Sequence, residues 1–457
     1  MLLNSKVTQP LRRPRSLRFP ALLLVAAITV AVVVTANEDD SPRRATPSVL
    51  PDPRIMSRAA LGVAPIEKTV GFWQGRVNAA PNDLAARRLL AGSLMTQARE
   101  SGDLVLFETA ESQYRAAVAI SPTSADAVLG LGGARAAQHD FATAAALATQ
   151  VLQRDPQSVA ALINLGDAQF ELGQYTSARA TYKRLDQAVP NTAVTLSRAA
   201  RLAALDGDPT QSITLARQAL QSVGDLDLHR ADGAFFWFQL ANYELNAGQP
   251  NVAARHLEQA LVVDPSHLPS RELLARARVE QGDLLAARSL LLALTNDTPA
   301  ADLFGDLAKV ERRLGKRSAA RAHLGEGLAI GRAQLGRFPS ERRHLAGFFA
   351  DADPQIALAT AQQDYRDRQD IQSAGTLAWA EFRTGDFRSA DRHSREALRF
   401  GTQDSVLQAQ GGLIAFELGH PERAVTLLRA ALDRRPNYDP TWAPRAHAVL
   451  SRLERTS

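Results

Sequence analysis

Prolines in this chain fall on a ladder. Pro122, Pro156 and Pro190 are each 34 residues apart, as are Pro265 and Pro299, and Gly224 takes the rung after Pro190. A fixed period of this size signals stacked repeats, each one a supersecondary unit too small to bury its own apolar face. Between rungs, alanine, leucine and arginine abound while aromatic residues make up only 6% of the chain, a composition that favours helix over strand. The ladder therefore constrains the fold to a helical solenoid before any single motif is considered.

One unit shows the internal logic. "LINLGDAQFELGQYTSARATYKRLDQAVP" runs from Leu162 to Pro190 and reads as two helices with a turn at Gly173. Gly166 sits inside the first helix, where glycine costs about 1 kcal/mol against alanine. A small residue there, with Ala178 on the second helix, lets two antiparallel helices approach closely and larger neighbours interlock. Pro190 ends the second helix because the residue before proline avoids the α region.

The period, with Leu162, Leu165, Gly166, Tyr175, Ala178, Tyr182 and Pro190 in their slots, resembles the tetratricopeptide repeat. Gln169 departs from that family's aromatic slot. Other units supply Gly132 with Ala144, Ala241 with Ala253, Ala275 with Ala287, and Ala308 in the same slots. Ala378 with Ala390, and Gly412 with Ala424, follow near the end. The resemblance implies an all-α fold, a right-handed superhelix (α-solenoid) over residues 66–438, with about nine to ten repeats plus a leading half-unit at 66–80. Repeat starts are expected near Leu84, Ala125, Val159, Ala193, Ala234, Leu268, Ala301, Phe338, Ile371 and Ser405. The unit from Phe338 lacks a turn glycine, "DLDLHRADG" from Asp225 reads as an inter-repeat extension, and residues 439–457 give a capping helix from about Trp442. No stretch of the array is left over for a separate catalytic domain.

The N-terminus carries a different signal. Residues 1–18 hold Lys6, Arg12, Arg13, Arg15 and Arg18 and no acid, and residues 19–37 are uncharged and largely apolar. As a helix that segment spans roughly 28 Å, close to the hydrocarbon thickness of a bilayer. The reading is one transmembrane signal-anchor with a basic cytoplasmic tail and an extracytoplasmic remainder. The alternative is cleavage near Ala36, giving a secreted or periplasmic protein. Residues 38–65, with Pro42, Pro47, Pro51, Pro53 and Pro65, form a spacer.

The net charge of +5 arises from that tail, since the chain's 53 basic and 48 acidic residues come into balance once its five cations are set aside. A nucleic-acid partner is therefore not expected. The absence of cysteine excludes disulfides and thiolate metal sites. Nine histidines show no HExxH or comparable ligand spacing, and His256, His323 and His393 recur on second helices as polar packing residues. "GLGGA" at 130–134 lies within a helix rather than after a strand, so it is no dinucleotide loop. No catalytic set stands out, and neither enzyme activity, cofactor nor metal is expected.

The family resemblance further implies that first helices line a concave groove that takes protein ligands. The residue after the small slot, and the one three further on, nominate Asp167, Phe170, Arg201, Asn242, Arg276, Lys309, Trp379, Phe382 and Phe416 for that surface. Its middle would be basic and its far end aromatic, suited to an extended, partly acidic protein segment. Ala160, Val194 and Pro269 stand where chaperone-clamping members carry lysine, so that mode is not expected. The reading is a membrane-anchored scaffold of bacterial type, judged by its alanine and arginine richness, in which self-association is common for the family. Its alternatives are an exported binding protein for an envelope polymer and a non-catalytic subunit of an envelope enzyme complex.

Overall fold

A computed structural model describes residues 66–223 and 230–456. The basic tail, the apolar segment and the spacer lie outside the described residues, as does most of the "DLDLHRADG" segment. Among the described residues no helix is long and apolar enough to cross a membrane. They form twenty-two α-helices and one short 3₁₀ turn, with no strand.

Helix α1 spans Ile66–Ala79, and the rest pair off as antiparallel hairpins. These are α2 (Leu84–Ser101) with α3 (Val105–Ile120), α4 (Ala125–Ala137) with α5 (Phe141–Arg154), and α6 (Val159–Glu171) with α7 (Tyr175–Ala188). Next come α8 (Ala193–Leu205) with α9 (Pro209–Ser222), α10 (Arg230–Asn246) with α11 (Pro250–Val263), and α12 (Leu268–Glu280) with α13 (Leu284–Asp297). The C-terminal hairpins are α14 (Ala301–Arg313) with α15 (Arg317–Gln334), α16 (Arg342–Ala352) with α17 (Pro354–Asp367), α18 (Ile371–Thr384) with α19 (Phe387–Ala397), and α20 (Ser405–Glu417) with α21 (Pro421–Arg434). Helix α22 (Trp442–Thr456) ends the array. First helices start where the ladder puts them except at two units. The fifth begins at Arg230 rather than Ala234, and the eighth has a 3₁₀ turn at Pro339–Glu341 before its helix starts at Arg342.

Local chemistry explains the boundaries. Ser124, Asp140, Ser158 and Asp208 accept hydrogen bonds from backbone N–H groups in the first turns that follow them. The hairpin turns put glycine in the left-handed region, as at Gly207 (φ +76°) and Gly315 (φ +74°). Two hairpins lack a turn glycine: between α4 and α5 His139 takes the left-handed position (φ +62°), and between α16 and α17 Asp353 ends the first helix and caps the second through its side chain. Gly166 is required by contact: a Cβ there would lie 2.5 Å from the Tyr182 ring, which is itself buried and bonded to Asp167. Ala178, across the hairpin, is fully buried.

The array does not remain an open trough. Its superhelix turns tightly enough that late repeats pack onto early ones. The Tyr175 hydroxyl accepts a 3.0 Å hydrogen bond from the backbone N–H of Ile371, 196 residues further on and just under six ladder periods away. Around it, Tyr175, Leu205, Ile371, Ala374, Ala397 and Leu407 share one apolar cluster. Further along the seam, the Arg435 guanidinium grips the buried Glu280 carboxylate, with Nε–Oε2 at 3.1 Å. At the other end, Phe338 packs into the cluster of Trp73, Leu90 and Met95. Three hairpin turns form the seam itself: Gly173, Gly207 and Gly248 press on the backbone carbonyls of Gln369, Gly401 and Arg434. At Gly282, Gly315, Gly385 and Gly419 a Cβ would meet nothing within 4 Å.

Candidate functional site

Closure turns the concave face into a channel with a cavity of about 690 Å³, walled chiefly by first helices. That volume lies in the range of ligand-binding clefts. Of the residues nominated from sequence, Phe170, Arg201, Asn242, Arg276, Lys309 and Trp379 line it, whereas Asp167, Phe382 and Phe416 do not.

The three outside the lining have packing roles. Asp167 is buried, accepts from the Tyr182 hydroxyl at 2.8 Å, and pairs with Arg198 of the next repeat at 2.5 Å. It pins two repeats together. Phe382 stacks on Trp379 with centroids 4.8 Å apart, and Trp379 meets Trp442 edge-on at 4.6 Å. Phe416 packs beside Ala415, Ala424 and Leu453 near the C-terminal cap.

The cations of the groove have acids of their own. Arg201 pairs with Glu171 and lies over the Phe170 ring, 3.7 Å from its centroid. Lys309 reaches Asp439 at 3.0 Å and Asp351 at 3.5 Å. Burial opposes its charge, but Asp439, Asp306 and Asp351 outweigh that and raise its pKa. Arg276 stands 3.9 Å from Asp306. The run of basic residues read from sequence is thus neutralised from within the fold: Glu171, Asp306 and Asp351 stand on the adjacent first helices, and the curvature of the array brings Asp439 to Lys309.

The missed residues follow the same logic. Glu171, Asp302, Asp306, Arg343, His344, Asp351, Asp439 and Trp442 also line the channel. Some were accessible to a better rule: Asp306 is three residues before Lys309 and Asp302 seven before it, on the same helical face. Others, such as Asp439 and Trp442, line it only because the chain returns on itself. One wall gathers carboxyls. Burial, then neighbouring Asp306, pushes Asp302 up to about 6, while burial and Asp302 push Glu341 up to about 8. Buried Glu272 is shifted the same way, by burial first and then by Asp302.

The three second-helix histidines share one arrangement. Nδ1 of His256, His323 and His393 lies 2.7, 2.8 and 2.7 Å from Glu244, Glu311 and Glu381, each twelve residues earlier on the facing helix. Glu244 and Glu311 are completely buried, so these pairs staple hairpins from inside. Among the described residues no group of His, Asp or Glu could hold a metal ion.

Comparison with known proteins gives two matches to models described as tetratricopeptide repeat, at residues 135–205 and 238–302. A solved structure, the crystal structure of the APC/C hetero-tetramer Cut9-Hcn1, superposes with a TM-score of 0.34 at 12% identity, covering 88% of this chain and 94% of that one. No curated protein matches the sequence.

Proposed function

From the tetratricopeptide-repeat matches at residues 135–205 and 238–302 we propose that the chain is a scaffold holding a segment of a partner protein inside its channel, anchored to a membrane through residues 19–37 with the array on the extracytoplasmic side. The observation that carries this reading is the cavity itself. It is open enough for a few residues of extended chain, has Phe170, Trp379 and Trp442 among its lining, and is walled by rigid helices. Rigid elements lose little entropy on binding, so such a wall favours a segment that arrives extended. No reaction is involved. Recognition is by shape and side-chain complementarity.

Gly347 provides the test. It lies in α16 on the channel lining, and a Cβ there would meet nothing within 4 Å. A benzophenone photo-cross-linking side chain at Gly347 in the full-length, membrane-inserted chain is expected to capture the partner. The same group at Leu285, 68% exposed and absent from the lining, is expected to capture nothing. Capture from Leu285 alone would move the binding surface to the outer face. The mass of the mature N-terminus separates the anchored from the cleaved form.

A further inference from the structure

Along most of the channel, acids and bases meet in pairs: Glu171 with Arg201, Asp370 with Arg343, Asp439 with Lys309. The wall between α12 and α16 departs from this. There Asp302, Asp306 and Glu341 gather, with Arg276 no nearer than 3.9 Å to Asp306 and the His344 ring 4.0 Å from Asp302. Lys309, further along α14, and Arg343 on α16 hold their closest ion pairs with Asp439 and Asp370. A second observation is independent of that clustering. Glu272 is only 3% exposed, neither of its carboxyl oxygens has a hydrogen-bond partner, and the charges acting on it are those of Asp302, Arg276, Asp306 and Glu341. A buried carboxyl left without a donor is costly, by about 1–3 kcal/mol. Arg276 is the cation whose charge reaches both Glu272 and Asp302, and it faces four carboxyls.

We infer that this wall seats a lysine ammonium or arginine guanidinium carried by the partner segment, which reaches Asp302 and Asp306 from the channel with Glu272 and Glu341 behind them. The inference rests on the reading that the channel holds a partner segment, and it reverses the acidic partner that the sequence alone suggests. The upward shifts of Asp302 and Glu341 add a signature, since carboxyls that retain protons near neutrality give them up when a cation arrives. Binding therefore releases protons and tightens as pH rises from 6 to 8, by about tenfold per pH unit for each proton released.

The probe is a fluorescent ten-residue lysine peptide, titrated into the full-length chain in detergent and compared with a ten-residue glutamate peptide. The lysine peptide is expected to bind, with affinity rising between pH 6 and 8. D302N/D306N is expected to weaken binding at least tenfold while its circular dichroism stays unchanged, and E272Q is expected to reduce the pH dependence. Should either variant fail to fold, the pH dependence of the unmutated chain still decides. Preference for the glutamate peptide, affinity that ignores pH, or displacement by equimolar calcium would overturn the inference. Capture from Gly347 would survive each of those outcomes, so failure here is distinguishable from failure of the channel reading.

Discussion

Gly207→Ala is expected to destabilise the chain by about 2–4 kcal/mol, and Gly315→Ala by only about 1 kcal/mol. Both residues terminate first helices with nearly the same left-handed backbone, at φ +76° and +74°. The backbone penalty for adding a Cβ is therefore shared. What differs is the surroundings. At Gly207 the new Cβ would lie 2.1 Å from the Gly401 carbonyl oxygen, while at Gly315 it would meet nothing within 4 Å. A backbone carbonyl cannot rotate aside as a side chain can, so the seam between early and late repeats must open or the hairpin must shift. Denaturant unfolding of the two variants, with the radius of gyration measured alongside, checks this. Equal losses, with no expansion in Gly207→Ala, would mean that the seam contributes nothing.

Raising the pH from 6.5 to 8 is expected to destabilise the folded chain, with about 2 kcal/mol of the loss coming from Glu341 and removed by Glu341→Gln. Glu341 is 6% exposed, and burial together with Asp302 holds it at about 8, against a small opposing effect from its bond to Ser340. A carboxyl raised on folding contributes its full stabilisation below its unfolded value, and loses it as pH climbs through the folded one. Two histidines work in the opposite sense. Burial lowers His267 to about 4 and drives His139 down as well, with Arg368 and Arg343 adding to the shift at His139. Both are neutral when folded, so between about 4 and 6.5 they make stability rise with pH. Above 6.5 their contribution fades as the unfolded imidazoles give up their remaining protons, and Asp302, held at about 6, has largely ionised. The window from 6.5 to 8 thus isolates Glu341 and its neighbour Glu272. Equal slopes in the unmutated chain and Glu341→Gln would show that Glu341 is ionised throughout.

Much of the fold was legible because a repeat states its structure many times. Pro122, Pro156 and Pro190 place the hairpins, Gly173 and Gly315 mark turns, and Gly166 opposite Tyr182 shows why a helix interior tolerates glycine. Periodicity also identified a groove-facing register, which puts Phe170, Arg201, Asn242, Arg276, Lys309 and Trp379 on the channel wall. The same register placed Asp167, Phe382 and Phe416 there, yet Tyr182 and Arg198 claim Asp167, and the two phenylalanines pack against Trp379 and beside Leu453. A slot rule states which way a side chain points, not what waits for it. Closure of the superhelix was not legible. It depends on small rotations from repeat to repeat that accumulate over nearly 200 residues, and on contacts such as Tyr175 with Ile371 that no local pattern encodes. The charge of the channel depends on closure too, since Asp439 neutralises Lys309 from 130 residues away. Hence the basic groove suggested by a first-helix reading becomes a paired one with a single acidic wall.

The central claim is that early and late repeats meet. The chain has no cysteine, so nitroxide labels can be placed at will. Gln174 and Gln369 are both exposed and flank the contact where Gly173 presses on the Gln369 carbonyl. Dipolar spectroscopy on the Gln174→Cys/Gln369→Cys chain, spin-labelled at both positions, is expected to give one short, narrow distance. A broad distribution centred at long distance would show an open solenoid, and the closed channel would fall with it.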